Sequence, residues 1–247
     1  MVADPHDGYH ESDASFDKYA RHGAYHWRAL EAGLLRRSLP LRTRYDAVRR
    51  ALPRRARVVV EVGCGDGALS YHLAETGARD VLGCDTNARG IELAREEVRD
   101  RRATHAVRFV CGRFEDCAIR PASVDAIVLA DVIEHVPHPA PLLRAIHGSL
   151  RKGGCLIVTT PCARPGMPTW DHHHCQEYTV PTLTALLGTV FRDVLVRPFM
   201  PIALHKLYAK HPAARAVFNL AAAAGVNPLA IRWRGAAHVM LYARARA

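Results

Sequence analysis

Three glycines and two carboxylates crowd one short stretch of the chain, Val58-Val59-Val60-Glu61-Val62-Gly63-Cys64-Gly65-Asp66-Gly67. An apolar β-branched run leads into the glycines, and the amphipathic segment Ala68–Thr76 leads out. That order predicts a strand, a tight loop and a helix N-terminus. Glycine tolerates positive φ and lets a ligand lie against bare backbone. The spacing Gly63-x-Gly65-x-x-Ala68, with Asp85 closing a second strand about twenty residues on, is that of loops holding a nucleoside. The two acids restrict which nucleoside. A carboxylate within a few ångströms of a phosphate is repelled by about 1–4 kcal/mol at effective dielectrics from that of water down to that near a protein surface. Glu61 and Asp66 therefore argue against a pyrophosphate, and for a ligand with a ribose and positive charge.

S-adenosylmethionine (SAM), with its ammonium and sulfonium, is such a ligand. The stretch E-V-G-C-G-D-G resembles the first motif of class I SAM-dependent methyltransferases. The resemblance implies that Glu61, Gly63, Cys64, Gly65, Asp66 and Gly67 surround SAM. Asp85, with Thr86 beside it, is placed to accept the ribose hydroxyls in charge-assisted bonds. In this family the turn Cys111-Gly112-Arg113-Phe114-Glu115-Asp116 lies where adenine is held. Members commonly carry a small acid where Arg113 stands, so here Glu115 or backbone groups would take its place.

A second stretch, Leu129-Ala130-Asp131-Val132-Ile133-Glu134-His135-Val136-Pro137, follows the fourth expected strand. Doubly wound sheets place their ligands at that edge. The segment resembles D-V-L-E-H-V-x-x-P of small-molecule methyltransferases, the ubiquinone-pathway O-methyltransferases among them. Ala130 and Asp131 would then line the SAM site. A histidine beside a carboxylate can take a hydroxyl proton near neutral pH, with His135 as base and Glu134 orienting it. The same pair can also do no more than shape the pocket. Methyl transfer itself needs in-line alignment, which is mostly positioning.

A metal reading stands beside this one. One helical turn would bring Asp131, Glu134 and His135 onto one face, and Trp170-Asp171-His172-His173-His174-Cys175-Gln176-Glu177-Tyr178-Thr179 comes later. This arrangement resembles small-RNA 3′-terminal 2′-O-methyltransferases. It implies Asp131, Glu134, His135 and His174 as ligands of a divalent cation such as Mg, Mn, Fe or Zn. His172 or His174 then points into the site and His173 away. A histidine before an E-[YF]-T helix start is also common in small-molecule methyltransferases, where Thr179 caps the helix and His172 and His174 line the pocket mouth.

These residues need a frame. Alternating strands and helices predict an α/β fold with a mostly parallel sheet. Strands are expected at Arg57–Val62, Val81–Asp85, Val107–Cys111, Val124–Ala130, Cys155–Thr160, Val194–Arg197 and Ala237–Ala243, with Gly153-Gly154 as the turn into the fifth. Helices are expected at Ala68–Thr76, Ala88–Arg101, Ala140–Leu150 and Val180–Val190. The resemblance implies a Rossmann-like seven-stranded order, 3-2-1-4-5-7-6, with the last strand antiparallel. Residues 1–52 form a tail, disordered over 1–15, and a helical lid. In that lid the aromatic group Tyr25-His26-Trp27 either covers the acceptor or packs on the sheet. Residues 53–247 form the methyltransferase domain, with a helical insert at 198–235 that roofs the pocket, forms a dimer face or rests on a membrane.

Composition narrows the function classes. At 247 residues, 49% hydrophobic and 23% charged, the chain suits one globular domain. Its +10 formal charge is largely arginine, which either steers anionic partners or reflects solvated helix faces. No basic stripe interleaved with aromatics marks a nucleic-acid platform. Seven scattered cysteines without C-x-x-C suit a reducing compartment. No membrane span or apolar leader is read, so a cytoplasmic monomer or homodimer is expected. The leading expectation is methyl transfer from SAM to a small-molecule acceptor, at oxygen. The alternatives are a metal-dependent RNA 3′-terminal 2′-O-methyltransferase and a SAM-binding partner subunit without catalysis.

Overall fold

A computed structural model of the chain describes residues 18–247, apart from 79, 103–105, 165, 232 and 234. The tail expected to be disordered, with Phe16, lies outside the described residues. The N-terminal part folds as three helices: α1 (Lys18–His22), α2 (Tyr25–Glu31) and α3 (Leu39–Ala51). Then β1 (Val58–Val62), α4 (Ala68–Glu75), β2 (Asp80–Asp85), α5 (Ala88–Val98), β3 (Val107–Cys111) and β4 (Val124–Ala130) alternate. The second half contains α6 (Pro139–Ser149), β5 (Leu150–Pro161), α7 (Val180–Gly188), β6 (Arg192–Pro201), α8 (Ile202–Lys210), α9 (Pro212–Ala223) and β7 (His238–Arg246).

Among the described residues the seven strands form one sheet in the expected order, β3-β2-β1-β4-β5-β7-β6, with β7 antiparallel to both neighbours. Hydrophobic pattern sets each strand's place. Central β4 reads VDAIVLA and is buried along nearly its whole length, whereas edge strand β3 alternates buried Val107 and Phe109 with exposed Arg108 and Val110. One core cluster lies against Val59, Val81, Ala126 and Ile157. It also takes in Tyr19, Trp27, Val48 and Ala51, so α1 to α3 share a core with the sheet. The other face packs α6 and α7 through Leu143, Ile146, Leu183 and Leu187, each fully buried. Each such leucine or isoleucine contributes roughly 1.5–3 kcal/mol by leaving water.

Two expectations are corrected. Gly153-Gly154 is not the turn into the fifth strand. It lies inside β5, where the register against β4 shifts between Val124 and Ala126. A Cβ on Gly154 would stand 2.9 Å from the Arg151 carbonyl and 3.0 Å from that of Val124, so glycine there permits a bulge within pairing distance. The insert also starts later than expected. Pro198, Phe199 and Pro201 pair with β7 and belong to β6, leaving α8, α9 and a 3₁₀ turn at Pro228–Ala230 as the inserted unit. That unit is seated by its own cluster of Leu39, Phe199, Met200, Tyr208, Phe218, Leu229 and Met240.

Candidate active site

The glycine loop leaves β1 at Val62 and enters α4 at Gly67. Gly63 and Gly65 have φ of +72° and +53°, which L side chains rarely adopt. Space forbids a side chain as well, since a Cβ would meet Val132 at 2.4 Å on Gly63 and the Tyr19 hydroxyl at 1.7 Å on Gly65. Asp85 ties this loop to the end of β2. Its Oδ2 accepts the Gly65 N–H at 2.8 Å and its Oδ1 the Asn87 N–H at 2.8 Å. Burial pushes the Asp85 carboxyl upward, against the pull of those N–H groups. A carboxylate has about four acceptor positions, so capacity remains for a ribose diol.

The two loop acids are placed differently from expectation. Glu61 is buried beneath the loop and accepts the Ser70 hydroxyl at 2.5 Å, so its carboxylate serves the first turn of α4. Asp66 is wholly buried and engaged by α2: it accepts the His26 N–H at 3.0 Å, pairs with His26 Nδ1 at 3.0 Å, and its carbonyl accepts Trp27 Nε1–H at 2.7 Å. Of the aromatic trio, Trp27 is therefore core, 3% exposed, between Tyr71 and the Arg101 guanidinium. His26 latches the loop. Tyr25 is partly buried and stacked on Tyr19 with centroids 5.5 Å apart, and burial and then Asp66 push its phenol up. In the turn after β3, Phe114 is buried in the core, while Arg113 is exposed and paired with Glu115 at 3.6 Å. Thr86 is exposed, Cys64 buried and Ala130 half-buried.

Beyond β4 the expected four-residue constellation contracts to three. Asp131 has a φ of +57° and its N–H donates to the Thr159 carbonyl, so the chain reverses there, and only Ile133–His135 make a helical turn. The i, i+3, i+4 alignment fails for that reason. Asp131 instead accepts the Thr159 hydroxyl at 3.0 Å and forms an ion pair with Arg44. Glu134, His135 and His174 do converge, with ligand atoms all within 4.8 Å of one another. Glu134 is wholly buried. Its Oε2 accepts the Thr160 hydroxyl at 2.9 Å, so it does not orient His135, and its Oε1 has no hydrogen-bond partner among the described residues. The ring of His135 is oriented by the His173 carbonyl, 3.1 Å from Nδ1, and that of His174 by Glu177, 2.7 Å from Nδ1. The two rings meet edge to face at 5.0 Å. His172 is exposed and packs at a tilt against His173, and His174 alone of the histidine run has a buried side chain. Burial lowers the pKa of His135, partly offset by the His173 carbonyl. Burial also raises Glu134 well above the carboxylate range, reinforced by Asp131.

A glycine loop after β1, an acid closing β2, a polar edge beyond β4 and the 3-2-1-4-5-7-6 order together match one family. A family described as "Methyltransferase domain" matches residues 60–158. A ubiquinone biosynthesis O-methyltransferase of Ralstonia nicotianae is 28% identical over 195 residues, covering 76% of this chain and 71% of that one. Its counterpart in Xanthomonas campestris is 35% identical over 122 residues, 49% of each chain. A SAM-dependent methyltransferase structure from Thermotoga maritima, described as a possible histamine N-methyltransferase, superposes with a TM-score of 0.63 at 18% identity. The match covers 94% of this chain and 97% of that one. These likenesses and the sheet order support a SAM-dependent methyltransferase of class I.

Several residues at this methyltransferase's site carried no readable signal. Arg44 is one arginine in an arginine-rich helix, yet it reaches Asp131. Thr160 and Glu177 become partners only through folding. Tyr178 is buried, its hydroxyl lacks a partner among the described residues, and its pKa is raised by burial and then by Glu134. Tyr19 is the ring that covers Gly65, forty-six residues on, which nothing along the chain shows.

Glu61 also yields a stability prediction for this methyltransferase. Burial, opposed by Ser70 and reinforced by Asp66 and Asp85, raises its pKa to about 8 from 4.5. The folded state then holds a proton that the unfolded state has lost, so stability falls as pH rises between those values. Glu61→Gln keeps a partner for Ser70 and removes that fall. Its melting temperature should exceed that of the wild type by more at about pH 8 than at about pH 5. Parallel melting curves across that range would show that Glu61 is not the group responsible.

Proposed function

We propose that this methyltransferase moves the methyl group of SAM to an oxygen of a small, partly apolar acceptor at the carboxyl edge of β4 and β5. The observation that carries the reading is the imidazole of His135. It is held by Nδ1 against the His173 carbonyl, kept neutral by burial and set beside His174 and Glu134. Nε2 is then the nitrogen that takes the hydroxyl proton as the oxygen attacks the methyl carbon. The methyl–sulfur bond breaks and S-adenosylhomocysteine leaves with the electron pair. In this reading the backbone of Gly63 and Gly65 supports SAM, Asp85 accepts its ribose, and Asp66 beside the loop favours its cationic end. Two further facts support the reading. The matched relatives are named as ubiquinone O-methyltransferases. A cavity of about 420 Å³ at the same sheet edge is lined by Cys162, Ala163, Met167, Val180 and Ile202, which suits an apolar portion of the acceptor.

One observation favours a second reading, in which a divalent cation, and not His135 as base, activates the hydroxyl. A buried carboxylate oxygen without a partner is costly unless something fills its place. Glu134 Oε1 is such an atom, and it faces two imidazoles whose Nδ1 atoms are fixed by a carbonyl and a carboxylate, as ligand histidines usually are. The residues fit: Glu134, His135 and His174 would hold the ion, without Asp131. A bound cation would lower the pKa of an acceptor hydroxyl.

Methyl-labelled SAM supplied with phenol and catechol acceptors tests both statements. Label is expected in an alkali-stable ether. Label confined to amines or to RNA ends would overturn oxygen transfer to a small molecule. Activity abolished by EDTA and restored by Mn²⁺ or Mg²⁺, with metal bound by wild type and not by Glu134→Gln, is the result expected of the cation. Full activity in EDTA would dismiss it.

A further inference from the structure

The inserted unit breaks the usual rule for surface helices. A helix on a soluble protein turns one apolar stripe inward and polar residues outward. The inner side of α9 is seated by buried Phe218 and Asn219, and Asn219 Nδ2 donates to the carbonyls of Leu35 and Arg37 at 3.3 Å each. The outer side is nevertheless apolar. Ala213, Val217, Leu220 and Ala224 recur at helical spacing and are exposed, Val217 by 60%. Six of the ten large apolar side chains exposed among the described residues belong to this helix, the stretch after it or the loop it holds: Leu35, Val217, Leu220, Val226, Ile231 and Trp233.

Charge on the elements that form this face has one sign: residues 202–231 contain Lys206, Lys210 and Arg215 and no Asp or Glu, and the loop that Asn219 holds adds Arg36 and Arg37. Lys206 and Lys210 are exposed on α8, which packs against α9, and Arg215 is the only charge on α9. The longest apolar helix here is far too short to cross a bilayer, and no helix among the described residues is long and apolar enough to do so. A second copy docking by a two-fold axis would set this basic rim against itself. An anionic surface with an apolar interior complements both features at once, and an exposed tryptophan such as Trp233 suits its boundary.

We propose that the α8–α9 unit docks this methyltransferase onto an anionic lipid bilayer, with Val217, Leu220 and Trp233 entering the headgroup boundary and Lys206 and Lys210 meeting lipid phosphates. The docked face lies on the unit that contributes Ile202 to the apolar cavity, so an amphiphilic acceptor would reach that cavity from the membrane side.

Flotation of the full chain with vesicles tests this. Vesicles of phosphatidylcholine with about one third phosphatidylglycerol should bind the protein, pure phosphatidylcholine vesicles much less, and added salt should weaken the binding. Val217→Asp combined with Leu220→Asp should lower binding about tenfold or more while leaving SAM affinity and the melting temperature unchanged. Should that variant fail to fold, Lys206→Glu with Lys210→Glu, which leaves the apolar face intact, should still abolish the preference for phosphatidylglycerol. Tryptophan emission should shift to the blue on adding the anionic vesicles, and not in Trp233→Phe. Absence of wild-type binding, or equal binding by both charge variants, would overturn the proposal. A dimer seen by light scattering and dissociated by the Val217 and Leu220 changes would assign the face to a second copy instead.

Discussion

Asp85→Ala should abolish measurable SAM binding by calorimetry, and the effect should exceed that of any other single change in the loop. Two contributions add. The carboxylate is proposed to accept the ribose hydroxyls, and charge-assisted bonds of that kind contribute about 1.5–3 kcal/mol each. It also holds the Gly65 and Asn87 N–H groups, so its removal leaves two donors unpaired and frees the loop from β2. The two ribose bonds alone predict a loss of about 10²–10⁴ in affinity. Asp85→Asn separates the contributions, because an amide keeps an acceptor for one N–H and loses the charge. It should fall between wild type and Asp85→Ala. Wild-type affinity in the alanine variant would mean that the cofactor lies elsewhere.

His135→Ala should leave SAM affinity intact and slow methyl transfer by about 10²–10⁴-fold, the usual contribution of a positioned general base. Its Nδ1 is engaged with the His173 carbonyl beyond β4, so the loss should appear in kcat at saturating SAM. Single-turnover measurements remove product release from the comparison. His174→Ala is the companion variant. His174 packs against the His135 ring and is anchored by Glu177, which also accepts the Trp170 N–H at 2.5 Å. Losing it should reduce the rate less if the two rings only steer one another. It should reduce the rate as much as His135→Ala if both bind one ion, in which case chelation of the wild type gives the same residual rate. An unchanged rate in His135→Ala would leave that histidine a purely structural part.

The strands and the cofactor loop were legible because their signals are local and redundant, while the strand order came with the family resemblance. Val58–Val62 followed by three glycines can hardly be anything but a strand and loop, and Asp85 follows at a fixed distance along the chain. The loop acids were legible as residues but not as partners. Nothing along the chain shows that Asp66 would be taken by His26, forty residues earlier, or that Glu61 would face Ser70. The Asp131 misplacement has a different cause. A helical spacing was read across 131–135, but one left-handed residue at the strand end shifts the phase, and a non-glycine at positive φ leaves no mark in sequence. Gly153-Gly154 failed similarly, since paired glycines serve bulges as readily as turns. The apolar outer side of α9 was present in its alanine-rich composition. Which side faced outward depended on Asn219 finding two carbonyls near Leu35.

The contact between Tyr19 and Gly65 has an evolutionary consequence. A methyl group added at residue 65 would overlap the tyrosine hydroxyl, and the tyrosine ring also lies 3.2 Å from where a side chain on Gly90 would begin. Three positions, one in the leading helix, one in the loop and one in α5, thus share a single volume. In a family alignment they should covary as a set, with any larger residue at 65 or 90 accompanied by a smaller one at 19. The helix that precedes the first strand would then be under the same selection as the cofactor loop. Homologues that have replaced it should have altered that loop as well.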